Sequence, residues 1–244
     1  MIAEVVLTVA EGKRLIAKAV VQMPVVKQAL QGGIVAVAKG TTNSYIVEEL
    51  LGERIQKEDY VTGATLPAHV KRDGLLSSNL PDLVLKKGQR IETTTTEVVK
   101  EMQAGDVFIK GANALNYELG QAGILIGHPT GGTIGAVYGT IIARRIKLVI
   151  PVGLEKNVPV DIVEAAGVLM RESSRGPTLF PVAGEIVTEI EAIALLAGAE
   201  AMPIAAGGVA GAEGATWFAI RGSQSQVEKA LTLISSIQRE PHFV

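Results

Sequence analysis

The stretch GIVAVAKGTTNSYIVEELL, residues 33–51, constrains the fold more than any other part of the chain. Ile34 to Ala38 is an unbroken apolar run, the pattern of a strand buried on both faces. Lys39 to Ser44 is polar and opens with Lys-Gly-Thr-Thr. Tyr45 to Leu51 then follows a helical period, and Gly52 suits a helix stop. Strand, tight loop and helix in this order form the repeating unit of a parallel sheet. Parallel neighbours need a long crossover, and a helix is the usual one.

The same alternation recurs downstream. Asp106 to Ile109 reads as a strand that leads into Lys110-Gly111-Ala112-Asn113-Ala114-Leu115-Asn116. Gly123 to Ile126 is a short apolar segment, followed by the loop Gly127 to Thr133 and a helix reaching about Arg145. Ile146 to Val152 is a further strand, ending at Gly153-Leu154-Glu155-Lys156. Upstream, Leu15, Ile16, Ala19 and Val20 share a helical face, and Pro24 suits the first turn of a second helix. Thr94 and Glu97 have the spacing of a capping box, so a helix is expected from there to about Ala104-Gly105. Residues 56–89 show no clear period. After Val158 the pattern changes. Strands are expected at Val158–Val163, Ala201–Ala206 and Thr216–Arg221, with helices at Ile186–Ala197 and Ser223–Ile237. The expected architecture is therefore α/β. Residues 1–160 should form a Rossmann-like, mostly parallel sheet with helices on both faces. Residues 161–244 should form a smaller α+β unit, for which a ferredoxin-like pattern is one candidate.

Composition narrows the function. The chain has 244 residues, 48% of them hydrophobic and 20% charged, which suits a sizeable core and argues against disorder. Its formal net charge is −2, so no basic excess exists to neutralise a nucleic-acid backbone. With no cysteine, disulfides, thiolate nucleophiles and cysteine-based zinc sites are all excluded. His69, His128 and His242 lie far apart, so neither a metal site nor a resident cofactor is expected. Glu4 and the lack of a basic n-region argue against a signal peptide. Ala192–Ala212, the longest weakly charged stretch, is broken by Glu200, Pro203 and Gly207-Gly208, so no membrane span is expected. A soluble, cytoplasmic protein fits these features.

Ligands of a parallel sheet sit beyond the carboxyl ends of its strands. The loops after Ala38, Ile109 and Val152 occupy that position, and Gly127–Thr133 opens a helix. Helix N-termini carry free N–H groups and a partial positive charge that attract anions. Lys39, Gly40, Thr41 and Thr42 are thus candidates to hold an anion, with plain helix capping as the alternative. Gly131, Gly132 and Thr133 are a second candidate set, with a tight turn as the alternative. Thr133 stands where a P-loop would have lysine. Gly207–Gly214 reads as a loop rather than an anion-binding nest. His128 is a weak catalytic candidate, and no serine stands in a nucleophile-elbow context.

Taken in order, these segments resemble the ribose-5-phosphate isomerase A family, within a wider group of sugar-phosphate isomerases, deaminases and CoA transferases. Lys39 to Thr42 fall on the last four places of that family's Gly-Thr-Gly-Ser-Thr loop. DVFIKGANALN, residues 106–116, resembles its Asp-Gly-Ala-Asp-Glu-Ile-Asp segment. Residues 124–140 resemble its Lys-Gly-Gly-Gly-Gly loop and the following helix. VGLEKNVPVDIV, residues 152–163, is similar to its Asp-Glu-Ser-Lys and Pro-Val-Glu-Val stretches. The resemblance spans most of residues 11–165. It implies a phosphate held by Lys39, Gly40, Thr41, Thr42 and Lys156, with Lys110, Asn113, Asn116, Gly131, Gly132 and Thr133 around the rest of a small anionic metabolite.

The departures concern proton transfer. Lys110, Asn113 and Asn116 replace the family's acids. Gly127 or His128 replaces the lysine opening the glycine loop, and Val137 or Tyr138 replaces the base glutamate. An amide exchanges no proton near neutral pH, so ribose-5-phosphate isomerase activity is not expected. Three roles stay open: a binding protein for the metabolite, an isomerase or acyl/CoA transferase with relocated groups (Glu118, His128 and Glu155 being the nearest), or an assembly subunit and homo-oligomer.

Overall fold

The computed structural model describes residues 1–72, 74–171 and 176–243. The chain is a mixed α/β protein. It opens with β1 (Ile2–Leu7), α1 (Val9–Gln22), α2 (Pro24–Gly32), β2 (Ile34–Val37) and α3 (Thr41–Leu51). Next come β3 (Leu83–Lys86), β4 (Gln89–Arg90), α4 (Thr95–Val98), β5 (Val107–Ile109), β6 (Ala114–Asn116), β7 (Gln121–Ile126), α5 (Gly132–Ala143) and β8 (Lys147–Pro151). The remainder is α6 (Ile162–Arg171), β9 (Thr178–Val182), β10 (Glu185–Val187), α7 (Glu189–Ala197), β11 (Glu200–Ala206), β12 (Thr216–Arg221) and α8 (Gln224–Ile237).

The central sheet has the order β10-β8-β5-β2-β3-β4. The first four strands run parallel, and β3 and β4 are antiparallel. Its strands are short; β2, β3, β5 and β8 are mostly apolar, and their alternate residues enter two separate cores. Val35, Val37, Val107, Ile109 and Val149 pack with Leu15, Ile16, Tyr45 and Ile46 of α1 and α3. Ala36, Phe108, Leu148 and Ile150 pack with Ile134, Val137 and Ile141 of α5. This period of two is what a sheet covered on both faces requires. Val37 pairs with Ile109, and Ile109 with Val149, so the strands finish at nearly one level. The loops opening at Lys39, Lys110 and Val152 therefore emerge side by side. Tyr60 clips the sheet at this end: its hydroxyl donates to Val37 O (2.5 Å) and accepts from Leu83 N (2.9 Å).

The expected division at residue 160 is not the one the sheets follow. β1 pairs antiparallel with β12, in a three-stranded sheet of order β1-β12-β11. β10 joins the central sheet beside β8, and β9 closes a third sheet of order β6-β7-β9. The chain thus crosses that boundary in both directions. Residues 158–161 are not a strand. Asp161 Oδ1 accepts from the amides of Val163 and Glu164 and starts α6 instead. Ile186–Ala197 divides into β10 and α7, because Thr188 and Glu191 form a capping box between them. α4 begins at the expected Thr94–Glu97 box but stops at Val98. Among the described residues, no helix is long and apolar enough to cross a membrane.

Candidate functional site

Helix ends show where this molecule leaves backbone donors free. α1, α4, α7 and α8 each close their N-terminus with a reciprocal capping box. α3 and α5 do not. Their N-caps are Gly40 and Gly131, neither helix has a side-chain cap, and neither has an acid in its first turn. Both first turns line the same cleft, of about 560 Å3. Gly131 and Gly132 take positive φ, 84° and 57°, a conformation that costs little only for glycine. Gly40 is extended and needs no glycine for its torsion. Where its Cβ would stand there is open space, which suits close approach of a ligand to the backbone. Capping by Thr41 or Thr42, the alternative role for these residues, is not seen.

The cleft gathers Lys39, Gly40, Thr41, Thr42, Lys110, Asn113, His128, Gly131, Gly132, Thr133 and Lys156. No aspartate or glutamate is among its described lining residues. The cations differ in their commitments. Lys39 donates to Ser78 O (2.7 Å) and lies 3.9 Å from Asp82, so its charge is directed to the neighbouring loop. Lys156 donates to Ala112 O (3.1 Å) and stands 4.0 Å from Glu155. The amine of Lys110 has no hydrogen bond or ion pair among the described residues. Burial first, and then the charge of Lys156, push it down to about 8, with no carboxylate offsetting them.

Two polar atoms beside these cations also lack partners. Thr42 Oγ1 and Asn43 Oδ1 are buried and unbonded among the described residues. Asn43 Nδ2 donates to Ala38 O (2.6 Å) and Ile109 O (3.3 Å), which ties the ends of β2 and β5 together. A buried polar group left unpaired carries a desolvation cost of roughly 1–3 kcal/mol.

Behind Lys156 lies a buried cluster of Lys13, Glu155 and Glu189. A Cβ placed on Gly153 would be 1.9 Å from Glu155 Oε2 and 2.9 Å from Glu189 Oε1. Those two oxygens are therefore at most 4.8 Å apart. Burial, then the neighbouring Glu155, raises the carboxyl of Glu189 to about 8, and burial, then Lys156, lowers Lys13 to about 8.

Three of the sequence candidates lie outside the cleft. Asn116 turns away: its amide donates to Val160 O (2.9 Å), and its oxygen accepts from Leu119 N (3.0 Å). Glu118 is exposed in the turn after β6 and is not part of the lining. Glu155 sits in the cluster behind Lys156. His128 does line the cleft, with Nδ1 2.9 Å from Thr130 Oγ1. The sequence reading missed Asn43, the loop Thr62–Thr65, the wall made by Ile124, Leu125, Ile126 and Ile134, and Pro177. Asn43 had a signal, since it lies within the polar loop that drew attention to Thr41 and Thr42. Among the described residues, no group of three or more His, Asp or Glu side chains is placed to hold a metal ion. Compared with known protein families, characterised proteins and solved structures, the chain matches none of them.

Proposed function

We propose that this cleft binds a small phosphorylated or otherwise anionic metabolite at the carboxyl edge of a Rossmann-like sheet, and that no ribose-5-phosphate isomerase chemistry follows. One observation carries the reading. Two uncapped helix N-termini and two lysines, Lys110 and Lys156, converge in a cleft that has no carboxylate among its described lining residues. An anion would satisfy the free amides and both charges at once. The resemblance to the isomerase family supports the same end of the sheet. The lack of a lining carboxylate removes the proton-transfer acids and also weakens the acyl-transfer alternative with a glutamate nucleophile.

Inorganic phosphate and ribose 5-phosphate should each raise the melting temperature, because a ligand of the folded state alone stabilises it by about 2.7 kcal/mol at a hundred times its Kd. Neither ribose 5-phosphate nor ribulose 5-phosphate should be consumed. No shift with either compound sinks the binding reading, and turnover at an enzymatic rate sinks the second half.

The pH dependence has a definite sign. The ammonium form of Lys110 attracts the anion, and it is lost as pH rises through about 8. The bound anion favours that ammonium and raises its pKa. Affinity should therefore be flat below about 8 and fall above it, by up to about tenfold per pH unit while one lysine titrates. Isothermal titration with phosphate on both sides of that pH checks it, and a flat profile would exclude Lys110 from the field that the ligand feels.

A further inference from the structure

Lys110 has the surroundings of a nucleophilic amine as well as those of an anion-binding cation. Its backbone is pinned: it follows β5, which is paired on both edges, and its amide donates to Val149 O (3.0 Å). Its side chain enters a cleft walled on one side by Ile124, Ile126 and Ile134. No carboxylate or carbonyl of the described residues holds the amine. Lys156 differs. Its amine is engaged by Ala112 O and approached by Glu155, which hold it in place. The cleft thus contains one committed cation and one free amine, a division of labour between holding an anion and reacting.

We propose that Lys110 forms an imine with an aldehyde or ketone group carried by the anionic ligand. The inference rests on the anion-binding reading above, and it names the substrate class as small phosphorylated carbonyl compounds. The nitrogen lone pair attacks the carbonyl carbon, and the carbonyl π electrons move to oxygen. A proton passes from nitrogen to that oxygen to give a carbinolamine. The nitrogen lone pair then expels the hydroxyl, which takes up a proton from solvent and leaves as water, giving the carbon–nitrogen double bond of an iminium. The resulting iminium carries the same single positive charge as the ammonium it replaces, and the ligand's own anionic group faces it. No redox partner is needed.

The reaction requires neutral amine. A lysine titrating near 8 has, close to neutral pH, on the order of a hundred times more neutral form than an ordinary lysine. The two causes, burial in an apolar wall and a neighbouring cation, are general ways of activating an amine. An anion seated on Lys156 offsets the second cause and leaves the first, which is the larger.

The test uses pyridoxal 5′-phosphate as a chemical probe, because it joins an aldehyde to a phosphate on a compact ring. The whole protein is incubated with it near neutral pH, reduced with borohydride and mapped by peptide mass spectrometry. Pyridoxal without phosphate is run beside it, and phosphate binding is followed by thermal shift on the same sample. The expected result is saturable labelling at Lys110, near one per chain, suppressed by inorganic phosphate and weaker by about tenfold or more with pyridoxal, the loss of one charge-assisted contact. Lys110→Arg, which keeps the charge but offers no nucleophilic amine, should not label. Phosphate binding with labelling scattered over surface lysines, or confined to Lys156, overturns the imine and leaves the anion site standing. No phosphate shift and no labelling of Lys110 overturns both. If Lys110→Arg fails to fold, the peptide map of the unaltered protein decides alone.

Discussion

Replacing Lys156 by methionine is expected to weaken phosphate binding about 10- to 100-fold, since a charge-assisted hydrogen bond contributes roughly 1.5–3 kcal/mol and about 1.4 kcal/mol is tenfold. The structure gives a matched control. Lys39 lines the same cleft, but its amine is spent on Ser78 O and Asp82, so Lys39→Met should change affinity far less. A second consequence follows from the cause of the Lys110 shift. Without Lys156 that amine loses its cationic neighbour and becomes more basic, so its neutral fraction near neutral pH falls. Isothermal titration with inorganic phosphate measures the first effect, and the rate of aldehyde trapping at Lys110 measures the second. A Lys156→Met protein within twofold of the parent would show that the cleft's field does not come from this residue.

The largest stability effect is expected at Arg14. This side chain is buried on α1 and forms ion pairs with Glu48, Glu49 and Glu240, while Arg54 and Lys57 reach the same carboxylates from outside. Glu48 belongs to α3, and Glu240 to the segment after α8. The cluster therefore fastens three parts of the chain. Arg14→Met leaves buried carboxylates undercompensated, a situation that costs about 3–5 kcal/mol. For a chain of this size that is a fall in melting temperature of roughly 6–20 °C. Glu48→Gln in the same molecule should restore part of the loss, because the two sites share one network. A loss below about 1 kcal/mol in urea melts would place this pair with ordinary surface pairs. The acid side has a sign as well. Burial works against the Glu240 carboxylate, but hydrogen bonds from Arg14 and Arg54 carry its pKa below the ordinary value. The stability it contributes is thus present above the usual carboxylate range and is lost as pH falls beneath it.

What was legible in the sequence, and what was not, follows the range of the forces involved. Ile34–Leu51 could be read because an all-apolar strand, a polar loop and a glycine stop are local patterns. The start of α4 could be read for the same reason. The partner of β1 could not: nothing within Ile2–Leu7 indicates that Thr216–Arg221 will lie beside it. β10 is three residues long and carries no period of its own. In the cleft, loops at strand ends could be placed in advance, but side-chain directions could not. Spacing put Asn116 and Glu155 beside Asn113 and Lys156, yet Asn116 meets the Val160 carbonyl and Glu155 turns toward Glu189. Lys39 looked like a phosphate ligand until Ser78 and Asp82 were placed beside it. Thr62–Thr65 lie in a stretch without periodicity, so no local rule brought them to the site.

The pairing of β1 with β12 also sets an order of events during synthesis. Leu7 and Thr216, partners in the finished sheet, leave the ribosome far apart in time, on the order of 10–40 s at usual elongation rates. β1 has no other strand beside it in that sheet, so IAEVVL waits as an unpaired apolar ribbon throughout that interval. Such a ribbon is open to wrong pairing with other nascent chains. Glu4, pointing to the exposed side of the strand, places a charge in the middle of it. A charge at that position disfavours pairing of the waiting strand with a wrong companion before Thr216–Arg221 arrives.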